Sequence, residues 1–158
     1  MIVLTAGTFD LFHSGHVALL RRCADLAEVG PFPGVYVGLN TDRFVTQYRG
    51  RPPTFGYTER EAMLAACRYV DAVLPNDQAD GTIRDLLAQV RPDILAVGDD
   101  WRGRDYLAQV GLTKPDLEMS GLRLVYLPYT PGPAGSSSAI KRLISETTSV
   151  AAAGDEVR

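Results

Sequence analysis

An open α/β sheet, mainly parallel and covered by helices on both faces, is the fold this chain predicts. Three observations predict it. Short apolar runs recur at residues 1–6, 35–39, 72–74, 94–97 and 122–127, as expected of strands buried on both faces. Stretches with apolar residues at helical spacing alternate with them, over 16–28, 59–68, 82–90 and 137–146, which is the βα rhythm of a parallel sheet. The chemically unusual residues gather just after the apolar runs, where ligands approach the carboxyl edge of such a sheet.

Met1 to Ala6 reads as the first strand, turning at Gly7-Thr8 into a helix from about His16 to Glu28 with Val17, Leu20, Ala24 and Ala27 on one face. Val35 to Leu39 is the second strand and ends at Asn40-Thr41-Asp42. Glu59 to Arg68 is a helix and Ala72-Val73-Leu74 the third strand. Thr82 to Val90 has helical spacing and is closed by Arg91-Pro92, because a proline disfavours the helical conformation of the residue before it. Ile94 to Val97 is the fourth strand and runs into Gly98-Asp99-Asp100-Trp101. Leu122 to Leu127 is the fifth, and Ser137 to Glu146 the last helix. Residues 1–148 are read as one domain and 149–158 as a flexible tail.

At 158 residues the chain suits one domain with a sizeable core. Apolar residues form 46% and charged residues 22%, which excludes a disordered or fibrous chain. A net charge of -3 argues against nucleic acid as a partner, since such binding neutralises phosphates with clustered Lys and Arg. No charged leader precedes a long apolar run, and nothing approaches the roughly twenty apolar residues that span a bilayer. Cytoplasmic residence without membrane attachment is therefore expected. Cys23 and Cys67 lie among apolar residues in helices and read as ordinary buried thiols.

The sequence Gly7-Thr8-Phe9-Asp10 followed by His13-Ser14-Gly15-His16 places a tight polar turn at a helix start. Exposed amides and the helix dipole attract anions there, Gly7 and Gly15 allow close backbone approach, and Ser14 is placed to cap the helix. His13 and His16 are the only histidines in the chain, and two imidazoles at this junction supply donors for a reacting phosphoryl group. With no cysteine or third histidine nearby, a histidine-held metal is not expected. Gly135-Ser136-Ser137-Ser138, before the last helix, offers hydroxyls and helix-start amides to phosphate. Arg49 and Arg51 form a basic group in Gly/Pro surroundings, suited either to phosphate or to an exposed loop.

With these motifs the sequence resembles the cytidylyltransferase-like nucleotidyltransferases, most closely the bacterial glycerol-3-phosphate cytidylyltransferase group. The resemblance is strongest over Gly7 to His16. It resumes at Asn40-Thr41-Asp42, Glu59-Arg60, Arg68-Tyr69-Val70-Asp71, Gly98-Asp99-Asp100-Trp101 and Ser136-Ser137-Ser138. It implies a Rossmann-like catalytic domain that moves CMP from CTP to a phosphorylated polyol or alcohol, such as glycerol 3-phosphate, and releases pyrophosphate. His13 and His16 would match the paired histidines that stabilise the transition state, and Arg60 a basic residue near the reacting groups. Thr8, Phe9 and Gly15 would border the nucleotide. Arg49, Arg51 and Ser136 to Ser138 would meet phosphates, while Asp99, Asp100 and Trp101 would recognise ribose, base or acceptor. Mg²⁺ associated with the triphosphate and a homodimer are implied as well.

The pattern also departs from the family. Tyr48-Arg49-Gly50-Arg51 stands where a lysine-rich loop is usual, and Tyr129 stands where relatives carry an arginine. Pro131 to Ala134 lengthens the approach to the Ser-rich segment, and Gly111 to Gly121 reads as an irregular insertion. An altered acceptor pocket is expected from these changes. Two alternatives stay open: an ATP-dependent adenylyltransferase, since a triphosphate motif does not read the base, and a noncatalytic nucleotide-binding protein.

Overall fold

The computed structural model describes residues 1–128 and 136–155, with side chains through residue 146. Five parallel strands, β1 (Ile2–Gly7), β2 (Gly34–Asn40), β3 (Ala72–Asn76), β4 (Ile94–Gly98) and β5 (Arg123–Leu127), lie in the order β3-β2-β1-β4-β5. The first strand is central, and the chain winds outward from it on both sides. The strand order therefore reverses between β1 and β4, which opens a crevice at their carboxyl ends.

Alternation along each strand divides the core into two layers. Val3, Val35, Val37, Leu39, Ile94 and Ala96 face one way and pack with Leu20, Cys23 and Ala27 of α1 (Ser14–Ala27) and Leu64 of α3 (Tyr57–Ala65). Leu4, Leu95 and Val97 face the other way. They pack with Leu86 and Val90 of α4 (Arg84–Val90) and with Tyr106 and Val110 of α5 (Tyr106–Val110). Burial of one large aliphatic side chain contributes about 1.5–3 kcal/mol, so both layers are needed to hold the sheet. The expected open parallel sheet, with helices on both faces, is the fold observed.

Several local expectations change. Ser14 does not cap α1: His13 has the extended cap conformation, and its Nδ1 accepts the Gly15 amide at 3.1 Å. Between β2 and α3 lies α2 (Asp42–Arg49), a helix the sequence reading omits because its apolar face is confined to Phe44 and Val45. Thr41 caps it by accepting the Phe44 amide, and Gly50 ends it with a φ of 72° that strongly favours glycine. Gly111 to Gly121 is not irregular, since it contains α6 (Lys114–Ser120), capped by Thr113 and Asp116 in reciprocal hydrogen bonds. The last helix, α7 (Ser137–Asp155), continues beyond Glu146. Tyr129 and the loop before Ser136 lie outside the described residues, as does their expected effect on the pocket.

Among the described residues, no helix is long and apolar enough to cross a membrane. Cys23 is buried, and burial pushes its thiol up to about 12. Cys67 is half-buried against the same core layer.

Candidate active site

The loop from Thr8 to Phe12 leaves the central strand at the crevice and is held in a costly conformation. Phe9 and Leu11 have φ values of 49° and 51°, a left-handed region that bulky side chains rarely occupy. Asp10, between them, supplies the restraint. Its carboxylate accepts the amides of Thr54 at 2.9 Å and Phe55 at 3.0 Å and pairs with Lys141 at 2.9 Å. Its backbone carbonyl accepts the Ser137 hydroxyl. Burial alone would raise the carboxyl, but these partners together hold it at about 2. One side chain thus joins the first loop, the segment before α3 and the start of α7.

The loop delivers two imidazoles to the first turn of α1. His16 Nδ1 faces the His13 amide at 3.4 Å, and His13 Nδ1 accepts from Gly15. Both Nδ1 atoms act as acceptors, which leaves each neutral ring its proton on Nε2. The rings stack with centroids 3.8 Å apart, and Phe9 and Phe12 lie against His16 at 5.1 and 5.6 Å. Burial, reinforced by His13, lowers the His16 pKa to about 3 against the opposing influence of Asp10. His13 is also lowered, through burial. Both rings are therefore neutral hydrogen-bond donors near neutral pH.

His13 and His16 line an open cavity of about 340 Å³ between the ends of β1 and β4. Thr8, Phe9, Arg49 and Trp101 are part of its wall, and Ser136, Ser137 and Ser138 close the opposite side. Ser136 caps α7 by accepting the Ala139 amide at 3.1 Å. Asp100 also lines the cavity, and its carboxylate sits where any side chain at residue 98 would be, 2.5 Å from an added Cβ. A side chain at residue 98 would therefore displace the Asp100 carboxylate. A second cavity of about 230 Å³ adjoins on the β2 side and shares Thr8, Phe9, His16, Arg49, Trp101 and Ser137 with the first. The pair has room for two small ligands in contact.

Four expected site residues are not in these walls. Gly15 is buried and its amide is engaged by His13, so it does not offer that donor to a nucleotide. Arg51 is exposed beyond the end of α2 and lines neither cavity. Asp100 rather than Asp99 faces the cleft, while the Asp99 carbonyl accepts the Arg102 amide at 2.8 Å. Arg60 is fully buried beneath the loop. Its guanidinium donates to the Phe55 carbonyl at 2.9 Å, the Thr8 carbonyl at 2.7 Å and Asp42 at 2.6 Å. It holds the loop from below rather than meeting a ligand.

Sequence reasoning missed Asp10 as the organiser, although it stands inside the motif as a lone carboxylate among apolar residues. It also missed Asn40, Asn76 and Tyr106 in the second cavity. Asn76 donates to Asn40 at 2.7 Å, and Asn40 faces the Thr8 hydroxyl at 3.4 Å. Only the pairing of β3 beside β2 brings these residues together.

A nucleotide-binding α/β domain, with paired imidazoles and a hydroxyl-rich helix start across a phosphate-sized cleft, is the class that fold and site define. The chain belongs to the cytidylyltransferase-like family, whose model matches residues 4–143. It is 33% identical to a glycerol-3-phosphate cytidylyltransferase of Bacillus subtilis over 130 residues, covering 82% of this chain and 88% of that protein. It is 30% identical to an FAD synthase of Pyrococcus abyssi over 141 residues, covering 89% of this chain and 90% of that one. In fold it is similar to a lipopolysaccharide core biosynthesis protein of Thermoplasma volcanium, with a TM-score of 0.55 and 21% identity over 79% of this chain and 95% of that chain. The family supports nucleotide-dependent transfer to a phosphorylated small molecule, and the differing names of the relatives leave the acceptor unassigned.

Proposed function

We propose that this chain is a cytidylyltransferase that moves CMP from CTP onto a phosphorylated polyol or alcohol, glycerol 3-phosphate being the simplest example. The observation that carries the reading is the neutral, stacked His13–His16 pair facing Ser136 to Ser138 across one cleft. In the reaction an oxygen of the acceptor phosphate attacks the α-phosphorus of CTP. The bond from that phosphorus to the bridging oxygen breaks, and pyrophosphate leaves with the bonding pair.

His16 and His13 act as donors through Nε2 to the charge that develops on the phosphoryl oxygens, without forming a covalent intermediate. Arg49 and the serines bind the polyphosphate, and Trp101 forms the wall between the two ligands. The described residues contain no group of three His, Cys, Asp or Glu arranged to hold a metal. The donor set suits Mg²⁺ brought by the triphosphate, with Asp100 as the carboxylate in the cleft. That ion would supply charge neutralisation on the phosphates.

ATP-dependent adenylyl transfer is the second reading, favoured by the similarity to an FAD synthase. Purified protein incubated with a matrix of nucleoside triphosphates and phosphorylated acceptors separates the two. Pyrophosphate release with CTP and a polyol phosphate is expected. Release with ATP alone would replace the donor, and nucleotide binding with no release under any pairing would indicate a sensor. The assembly is proposed to be a homodimer, which light-scattering mass across a concentration series tests.

A further inference from the structure

The second cavity contains two buried polar groups without a partner among the described residues: Asn76 Oδ1 and the Tyr106 hydroxyl. Both side chains line it, and they are only 2% and 4% exposed. Buried polar atoms are almost always paired, so two unpaired groups in the wall of one cavity beside the reacting centre call for a physical reason. Turning the Asn76 amide over does not remove the deficit, since it exchanges the unpaired oxygen for an unpaired NH₂. Tyr106 is held in place by an edge contact with Trp101 at 5.3 Å, which makes it a fixed wall.

The charges around this cavity narrow what the groups await. Asp10 is occupied by Thr54, Phe55 and Lys141, and so provides no free carboxylate for an ammonium group. The aromatic rings do not form an open cage for a quaternary amine. Arg49 already lies over Tyr48 at 5.3 Å and Arg104 over Trp101 at 5.8 Å, and a second cation would be repelled. Beyond Arg49, neutral His16 and the engaged Asp10, the polar lining is uncharged: the amides of Asn40, Asn76 and Gln109, the hydroxyls of Thr8 and Ser137, and two tyrosine phenols. Such groups suit uncharged hydroxyls, which both donate and accept.

We propose that Asn76 and Tyr106 are specificity-determining residues that hydrogen-bond a hydroxyl of the acceptor, selecting phosphorylated polyols over phosphorylated amino alcohols and deoxy analogues. The inference rests on the transferase reading for the orientation of the acceptor, with its phosphate toward His16 and Arg49 and its hydroxyls toward Asn76. Both residues line the cavity wall, and a hydroxyl seated beside them makes hydrogen bonds that no described residue makes. A site built this way rejects a ligand lacking the hydroxyl, because its own polar groups then stay unpaired.

The test is calorimetric binding of glycerol 3-phosphate, 1,2-propanediol phosphate and phosphoethanolamine, in the presence of CTP without Mg²⁺, to the wild type and to Tyr106→Phe and Asn76→Ala. The wild type is expected to bind glycerol 3-phosphate at least ~10-fold more tightly than either of the others. Tyr106→Phe should bring the ratio to the propanediol compound close to one while its melting temperature is unchanged or higher, since only an unpaired hydroxyl is lost. Asn76→Ala should reduce the same ratio, and unchanged CTP binding shows that it remains folded. Equal binding of the three ligands by the wild type, absence of binding by all three, or a ratio that survives Tyr106→Phe would overturn the assignment. Pyrophosphate release in Mg²⁺ is read separately. Selective binding without release would sink the transferase reading and keep the hydroxyl site, whereas release with a Tyr106-independent ratio would do the reverse.

Discussion

Lys141 Nζ lies 2.9 Å from Asp10 Oδ2, joining the last helix to the first loop across 131 positions of sequence. Asp10 also holds Thr54 and Phe55, so three segments that border the cleft converge on one buried carboxylate. Asp10→Asn keeps the shape of the side chain but weakens its ion pair and turns one acceptor into a donor. A loss of about 1–3 kcal/mol in urea unfolding is expected, with a lower kcat from a loosened loop. A variant as stable and as active as the wild type would show that Asp10 does not organise the site.

Arg60 and Asp42 form the second internal tie, at 2.6 Å, with the Arg60 side chain fully enclosed. Arg60→Met leaves two backbone carbonyls unmet at about 1–3 kcal/mol each, while Asp42, 44% exposed, is left to solvent; the loss is a large share of the total stability of a domain this size. Arg60→Lys should recover little, because one ammonium does not reach in the three directions the guanidinium serves. Thermal melts of both variants check this. Normal stability with lost turnover would restore Arg60 to a direct catalytic role.

The depressed pKa of His16 predicts a stability that depends on pH. The folded chain keeps the ring neutral down to about pH 3, whereas the unfolded chain protonates near the ordinary value of 6.5. Unfolding therefore takes up a proton in that interval, and stability falls as pH drops below about 6.5. Asp10 adds a further loss between about pH 3.8 and 2, where the unfolded carboxyl is protonated first. Melting temperature measured from pH 8 to 4 should decline in the wild type and decline less steeply in His16→Ala. Parallel curves would contradict the buried, neutral imidazole.

Arg49 lines both cavities yet is exposed at the end of α2. Arg49→Ala should leave stability unchanged and raise the KM for the triphosphate roughly tenfold, the equivalent of about 1.4 kcal/mol. Steady-state kinetics with the acceptor saturating measures it. An unchanged KM would place the polyphosphate elsewhere.

The sequence was most legible where local pattern and chemistry coincide. Continuous apolar runs marked all five strands, and the two histidines at a strand-to-helix junction marked the cleft. Roles that depend on what lies beneath a residue were not legible. Arg60 was expected beside the reacting groups, yet it is buried and its partners Thr8 and Phe55 come from two different loops. Asn76 sits on an outer strand with no motif around it, and acquires meaning only when β3 pairs with β2 and sets it against Asn40. The helix α2 was missed because its apolar face is only two residues wide, too short for periodicity to register.

The central claim is that the His13–His16 cleft performs nucleotidyl transfer. The mass of the product formed from CTP and glycerol 3-phosphate in Mg²⁺, compared between wild type and His16→Ala, tests it most directly. The account predicts a CDP-polyol and one equivalent of pyrophosphate from the wild type. It predicts a loss of at least about 100-fold in the rate for His16→Ala, with CTP binding nearly intact, because the imidazole acts on developing charge. A folded His16→Ala variant that makes the conjugate at the wild-type rate, or a wild type that yields no nucleotide conjugate from any triphosphate and phosphorylated acceptor, would contradict it.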